Sequence, residues 1–184
     1  MRLQELDHIS DQIVFHLDKS DTNAAFKIIV TAYSEKLYWH IRRIVLSHED
    51  ANDILQNTYV KVWKALDKYK ADAKVYTWLY RIATNESITF LNKNKKRIQP
   101  ILDQNFIEPS TTQEAIKMNA SEIEQRLEQA ILTLPEKQRI VFNLKYFEEL
   151  KYQEIALITE TSVGALKASY HLAVKKIEKY LTTN

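Results

Sequence analysis

Apolar residues recur at intervals of three and four along most of this chain, which is the spacing of one face of an α-helix. Segments with this spacing cover residues 3–17, 21–46, 47–68 and 76–97. Four further segments follow residue 120, over residues 121–134, 135–147, 152–158 and 162–181. Asp21 or Thr22 is a candidate cap for the second helix, and Ser47 for the third. The pattern predicts an all-α protein.

Residues that make tight turns are scarce, with one Gly, three Pro and no Cys in 184 residues. Hairpin-rich β folds, glycine-rich phosphate loops and disulfides are therefore excluded.

The longest apolar run, residues 155–158, is far shorter than the roughly 18 residues that suggest a membrane span. Glu5 and Asp7 interrupt the place of a signal-peptide core. We expect a cytoplasmic protein without membrane insertion of its own.

The three prolines indicate how the helices are grouped. Pro100 and Pro109 lie in an acidic segment that also contains a Ser-Thr-Thr run, a composition typical of a flexible linker. Pro135 is expected at the first position of a helix. We therefore predict two small helical domains, residues 1–97 and 121–184, joined by an acidic linker over residues 98–120.

Charge is distributed unevenly, although the net charge is only +2. Residues 61–97 contain ten basic and three acidic side chains, a local charge of +7. Basic side chains bind phosphates, aromatic rings stack on unpaired bases, and an amide pairs with a base edge. The segment combines all three types: its ten basic side chains, the rings of Tyr69, Tyr76, Trp78 and Tyr80, and the amide of Asn85. It is a candidate surface for single-stranded nucleic acid, although some of these rings must belong to the core.

The end of the chain is compatible with a helix-turn-helix. Such a motif requires a small residue where its helices approach and a bulky apolar residue where the second packs back, and Ala156 and Leu166 are so placed. A plain helical hairpin fits the spacing equally well. Glu160 stands where Gly is common and must adopt a left-handed conformation.

The predicted helix over residues 48–68 has an outward face of polar residues and one valine. Asp53, Gln56, Asn57 and Val60 form this face. A solvated surface and a docking surface for another protein are both consistent with it.

Catalytic chemistry finds no support in this sequence. Glu5 and His8 are the single Glu-x-x-His pair, and no nucleophile, base and orienting group occur together. We therefore predict no enzymatic activity, no metal site and no cofactor.

Two stretches of the chain resemble the extracytoplasmic-function (ECF) sigma factors of the sigma-70 family, the bacterial RNA polymerase specificity subunits. Residues 50–66 (DANDILQNTYVKVWKAL) and 76–85 (YTWLYRIATN) are similar to region two of that family. Residues 134–142 (LPEKQRIVF), 152–156 (YQEIA) and 162–167 (SVGALK) are similar to region four. With the linker between them, the resemblance covers about residues 21–181.

The resemblance implies an alternative sigma factor that binds core RNA polymerase and directs promoter-specific initiation. The beta-prime clamp helices would contact Asp53, Gln56, Asn57 and Val60. The minus-ten element would be recognised and melted by Lys70, Asp72, Lys74, Tyr76, Trp78 and Asn85. Region four would dock on the beta flap and bind the minus-thirty-five element through Ser162, Lys167, Ala168, Tyr170, His171 and Lys175. An anti-sigma factor is a further possible partner.

The sequence departs from the family pattern in its second domain. Many relatives have Thr-Val-Lys-Ser-Arg where this chain has residues 165–169 (ALKAS), and an Arg where it has Leu172. Two charges that would contact phosphates are therefore missing. In the first domain, Ala71 replaces a usual Gly.

A stand-alone helix-turn-helix regulator is the alternative function, but it leaves the basic aromatic segment at 61–97 unexplained.

Overall fold

A computed structural model describes residues 3–71, 73–94 and 120–183, and this part of the chain contains eight α-helices, one short 3-10 helix and no strand. The helices are α1 (Leu3–Asp18), α2 (Thr22–Val45), α3 (His48–Ala65), the 3-10 helix (Leu66–Lys68), α4 (Val75–Lys93), α5 (Ala120–Leu132), α6 (Glu136–Tyr146), α7 (Tyr152–Thr159) and α8 (Val163–Thr183). The predicted all-α class is confirmed.

The described residues form two compact units. The first contains those up to residue 92 together with 156–160, and the second contains those from 93 to 155 and from 161 onward. The predicted linker lies outside the described residues except for Ala120, which begins α5. The domain boundaries proposed from the sequence therefore stay a prediction.

Helix α2 forms the centre of the first unit, between α1 and α3. Its fully buried side chains follow the helical spacing seen in the sequence: Ala25, Ile29, Tyr33, Leu37, Ile41 and Ile44. The Asp21 carboxylate accepts a hydrogen bond from the Ala24 backbone N–H at 3.0 Å. The Ser47 hydroxyl accepts one from the Asp50 N–H at 3.3 Å, so both predicted caps are confirmed.

A buried polar contact joins α2 to α4. His40 Nε2 lies 2.8 Å from the Thr84 hydroxyl oxygen, and both residues are fully buried. The ring also packs edge-on against Tyr80, with centroids 4.9 Å apart. Burial of the ring, and secondarily the charge of Arg43, lower the pKa of His40 from 6.5 to about 3. His40 is therefore neutral at neutral pH and acts as a structural residue of the core.

In the second unit, α5 and α6 pack against α8. The core of this unit contains Ala130, Ile131, Leu134, Phe142, Ala173 and Ile177. Pro135 is the N-cap of α6, one residue before the position predicted for it. Its ring cannot donate a backbone hydrogen bond, and an N-cap needs none. The Ser162 hydroxyl caps α8 by accepting from the Ala165 N–H at 3.3 Å.

Candidate protein and nucleic-acid interfaces

One face of α3 is exposed along two turns of the helix. Asp53, Gln56, Asn57 and Val60 all lie on it, and Val60 retains 51% of its surface in solvent. The opposite face is buried through Ile54, Thr58 and Val62. The outward direction predicted for the four residues is therefore confirmed, whereas their contact with polymerase stays a prediction. We call these four residues the α3 face.

Trp63 extends the α3 face, and the sequence reasoning did not identify it. It lies one turn after Val60 and is 44% exposed. Its ring packs edge-on against Phe26 of α2, with centroids 5.1 Å apart. The sequence did contain a signal for Trp63: it lies three residues after Val60, and this spacing places both side chains on one side of the helix.

Two contacts hold α3 in place within the first unit. The hydroxyl oxygens of Tyr59 and Ser34 lie 2.7 Å apart and join α3 to α2. Lys61 forms an ion pair with Glu86 of α4. These contacts leave the α3 face on a rigid element, a property that a docking surface requires.

The residues predicted to bind the minus-ten element differ in their exposure. Lys70, Lys74 and Asn85 are exposed and Trp78 is half-buried, whereas Tyr76 has no exposed surface. Asp72 lies outside the described residues. The Tyr76 ring is thus enclosed by the core and not open to a base.

The turn before α4 is held by aromatic side chains. The Tyr69 hydroxyl donates a hydrogen bond to the Ala73 carbonyl, and the Tyr69 and Trp78 rings lie 5.1 Å apart. Ala71 adopts a left-handed conformation with φ of 56°. That conformation favours Gly, the usual residue of the family at this position. The turn therefore keeps the expected shape without the glycine.

The residues predicted to bind the minus-thirty-five element lie on α8, from Ser162 at its start to Lys175 just past its middle. Lys167, Ala168, His171 and Lys175 are exposed, and exposed Ser162 caps the helix. Glu160, in the turn before α8, has a φ of 53°, which confirms its predicted left-handed conformation.

Tyr170 differs from the other residues predicted to contact the minus-thirty-five element. Its ring stacks on Phe142 with centroids 5.8 Å apart, and the Tyr152 ring meets it edge-on at 6.4 Å. Burial raises the pKa of the Tyr170 phenol. Tyr170 thus joins α8 to α6 and the start of α7, and its ring is mainly a packing group.

Two further observations concern the described residues. No group of three His, Cys, Asp or Glu side chains among them is arranged to hold a metal ion. No helix in the described ranges is both long and apolar enough to cross a bilayer.

The helical fold, the exposed α3 face and a capped, basic α8 are features of a DNA-binding transcription factor. Family models agree: residues 29–97 match sigma-70 region 2 and residues 124–177 match sigma-70 region 4. The RNA polymerase sigma-H factor of Pseudomonas aeruginosa is 32% identical over 98% of this chain and 96% of its own length. The ECF RNA polymerase sigma-E factor of Escherichia coli K12 is 29% identical over 94% of both chains. This chain belongs to the ECF sigma factors of the sigma-70 family.

Solved structures have the same fold. The structure of CnrH in complex with the cytosolic domain of CnrY covers 97% of this chain, with a TM-score of 0.67 and 22% identity. The sigma factor RpoE of Bartonella quintana, in complex with the anti-sigma factor NepR, covers 86%, with a TM-score of 0.65 and 21% identity. These structures confirm the helical architecture, while the family models and the sigma-H relative confirm the resemblance to sigma factors.

Proposed function

We propose that this protein is an alternative sigma factor that binds core RNA polymerase and directs promoter-specific transcription initiation. The observation that carries the proposal is the presence of both family regions, in order, in a chain that matches the sigma-H factor over nearly its full length. The role is not enzymatic, because a specificity subunit positions the polymerase and leaves the chemistry to it. The protein acts in the cytoplasm, where its polymerase and promoters are found.

Polymerase docking is assigned to the α3 face. Val60 offers apolar surface, and Asp53, Gln56 and Asn57 around it offer hydrogen-bonding groups. Such a mixture is common at protein interfaces, where apolar contact supplies affinity and polar groups set the orientation. The partner surface is the clamp-helix region of the beta-prime subunit. Region four docks separately, on the beta flap.

Recognition of the minus-ten element is assigned to the exposed residues near the start of α4. Lys70 and Lys74 bind phosphates, the half-buried Trp78 offers its accessible surface to an unpaired base, and Asn85 pairs with a base edge. Asp72 remains part of the proposed surface from its sequence position. Tyr76 supports the segment from within the core, since its ring has no exposed surface.

Replacing Asn85 by alanine is expected to slow promoter opening about fivefold or more, since an amide paired with a base edge contributes about 1–3 kcal/mol. Binding to core polymerase should stay unchanged. Permanganate reactivity of unpaired thymines measures opening, and competition for core polymerase measures binding. Asn23→Ala, an exposed asparagine at the start of α2, is the matched control. Equal losses of opening and binding in Asn85→Ala would assign Asn85 a structural role.

Duplex binding at the minus-thirty-five element is assigned to α8. Lys167, His171 and Lys175 recur every four residues on its exposed side, which supports their assignment to the DNA contact. Ala168 contributes an apolar contact with DNA, and Ser162, which caps the helix, contacts DNA at the helix start. Tyr170 positions α8 through its stacking on Phe142. The helix enters the major groove, as recognition helices do.

Lys167→Ala is expected to lower the slope of log affinity against log salt by about one, because each phosphate contact releases about one counterion. Holoenzyme binding to a promoter duplex, measured over a range of salt concentrations, gives this slope. Lys179→Ala is the control, an exposed lysine three turns further along α8. If Lys167→Ala and the unaltered protein have the same slope, Lys167 contacts no phosphate.

The function itself is tested by reconstitution with core polymerase on a library of duplex DNA. The proposal expects specific initiation that depends on this protein, and weak binding to duplex DNA in the absence of polymerase. A stand-alone helix-turn-helix regulator would bind duplex DNA strongly by itself and yield no initiation. That result would replace the proposed function with the alternative.

An anti-sigma factor is a proposed further partner. The support comes from two proteins of similar fold that were solved in complexes: CnrH with the cytosolic domain of CnrY, and the sigma factor RpoE with the anti-sigma factor NepR. Such a partner would compete with polymerase for the surfaces assigned above.

A further inference from the structure

The exposed side of α8 is divided lengthwise into two chemically different strips. Lys167, His171 and Lys175 form a basic strip, with a spacing of four residues. Ala165, Ala168 and Leu172 form an apolar strip beside it, with spacings of three and four. The helical repeat places each strip on one line along the helix.

Leu172 is the largest side chain of the apolar strip and keeps 50% of its surface in solvent. The strip and the half-buried Ser169 beside it line a groove of about 570 Å³. The other wall is the start of α6, from Pro135 to Gln138, which includes the charged Glu136 and Lys137. All these residues belong to the second unit. A half-exposed leucine gains free energy if a partner covers it, so the groove favours an occupant with an apolar group.

The basic strip identifies the occupant as duplex DNA. Lys167 and Lys175 stand on the same exposed side, and their charge complements a phosphate backbone. The apolar strip has no side-chain donor or acceptor, and hydrogen bonds from its side chains therefore cannot distinguish bases. The one apolar group on a base edge in the major groove is the 5-methyl group of thymine.

We propose that this protein reads thymine 5-methyl groups in its minus-thirty-five element through Ala165, Ala168 and Leu172. The inference rests on the proposed function and names the chemical feature that α8 recognises. From residue 165 to 172 the helix rises about 10 Å, which matches about three base pairs. The contacted thymines therefore lie within a span of about three base pairs, on either strand.

The test uses holoenzyme made from this protein and core polymerase. A promoter is first selected from duplex DNA with a randomised upstream region. Each thymine of its upstream element is then replaced by deoxyuridine, which lacks the 5-methyl group but keeps the hydrogen-bonding groups. At the thymine that Leu172 contacts, this replacement should weaken holoenzyme binding roughly fourfold, the value expected for one buried methyl group.

Leu172→Ala should reduce this fourfold effect to less than about twofold, because the side chain that covers the methyl group is gone. Leu157→Ala is the matched control, since Leu157 is also a 50% exposed leucine, on α7. With Leu157→Ala, holoenzyme should still bind the thymine promoter about four times more tightly than the deoxyuridine promoter. We call this quotient of affinities the thymine-to-deoxyuridine ratio. Circular dichroism verifies that both variants are folded.

Three results would overturn the inference while leaving the proposed function intact. One is an upstream element without thymine, or without a methyl effect at any position. Another is an equal thymine-to-deoxyuridine ratio in the unaltered protein and Leu172→Ala. The third is weaker core-polymerase binding by Leu172→Ala with an unchanged ratio, which would assign Leu172 to the polymerase contact. A holoenzyme that selects no promoter would overturn the proposed function, and this inference with it.

Discussion

The double replacement of Asp53 and Gln56 by alanine is expected to weaken binding to core RNA polymerase at least about tenfold without destabilising the first unit. Truncating one partner of a desolvated charge pair costs about 2–5 kcal/mol, and loss of a neutral hydrogen bond adds about 1 kcal/mol. A tenfold loss of affinity needs only about 1.4 kcal/mol. Both residues are exposed on α3, and alanine is a strong helix former, so the fold should remain intact.

Equilibrium binding of labelled protein to core polymerase measures this effect, and thermal unfolding verifies the fold. The chain offers a matched control in Asp11 and Gln12, an exposed aspartate and glutamine on α1. Replacing this pair by alanine should leave the affinity unchanged. If the variant at Asp53 and Gln56 binds as tightly as the control, the α3 face is not the docking surface.

The second large effect is a loss of stability of the first unit in acid. The pKa of His40 is about 3 in the folded protein and 6.5 for an unperturbed histidine. Between these values the unfolded chain binds one more proton, so the free energy of unfolding falls as the pH drops below 6.5. At pH 5, 1.5 pH units below the unfolded value, His40 alone should cost about 2 kcal/mol.

Tryptophan fluorescence during urea unfolding isolates this effect, because all three tryptophans (Trp39, Trp63 and Trp78) belong to the first unit. His40→Gln removes the titrating ring. The difference in unfolding free energy between pH 7.5 and pH 5 should therefore be about 2 kcal/mol smaller in this variant. His8→Gln, at an exposed position on α1, is the control and should retain the full difference. Equal pH dependence of the unfolding free energy in both variants would show that His40 does not cause the loss of stability in acid.

Much of the fold could be predicted because it depends on residues close together in the chain. Asp21, Ser47 and Ser162 each cap a helix through a hydrogen bond to a backbone N–H three residues later. The left-handed backbone conformation of Glu160 could be predicted because this residue stands in the turn between two helices, where Gly is common. The outward direction of the α3 face followed from helical periodicity alone.

The candidate sites could be predicted only in part. Tyr76 and Trp78 occur in the same basic aromatic segment, yet Tyr76 is fully buried and Trp78 is half-buried. Tyr170 was assigned to DNA with Lys167 and His171, but its ring stacks on Phe142 of another helix. Composition identifies aromatic residues without indicating which of them the neighbouring helices will cover.

The sequence by itself determined the helices, their caps and the sigma-70 family, because these depend on local spacing and on motifs in a fixed order. Tertiary structure decided which side chains remain accessible. It enclosed His40 against Thr84 and left Leu172 exposed at the edge of a groove beside α6. The physical reason is that burial depends on helices that are distant in the chain, and their packing determines both the pKa of His40 and the side chains that α8 leaves exposed.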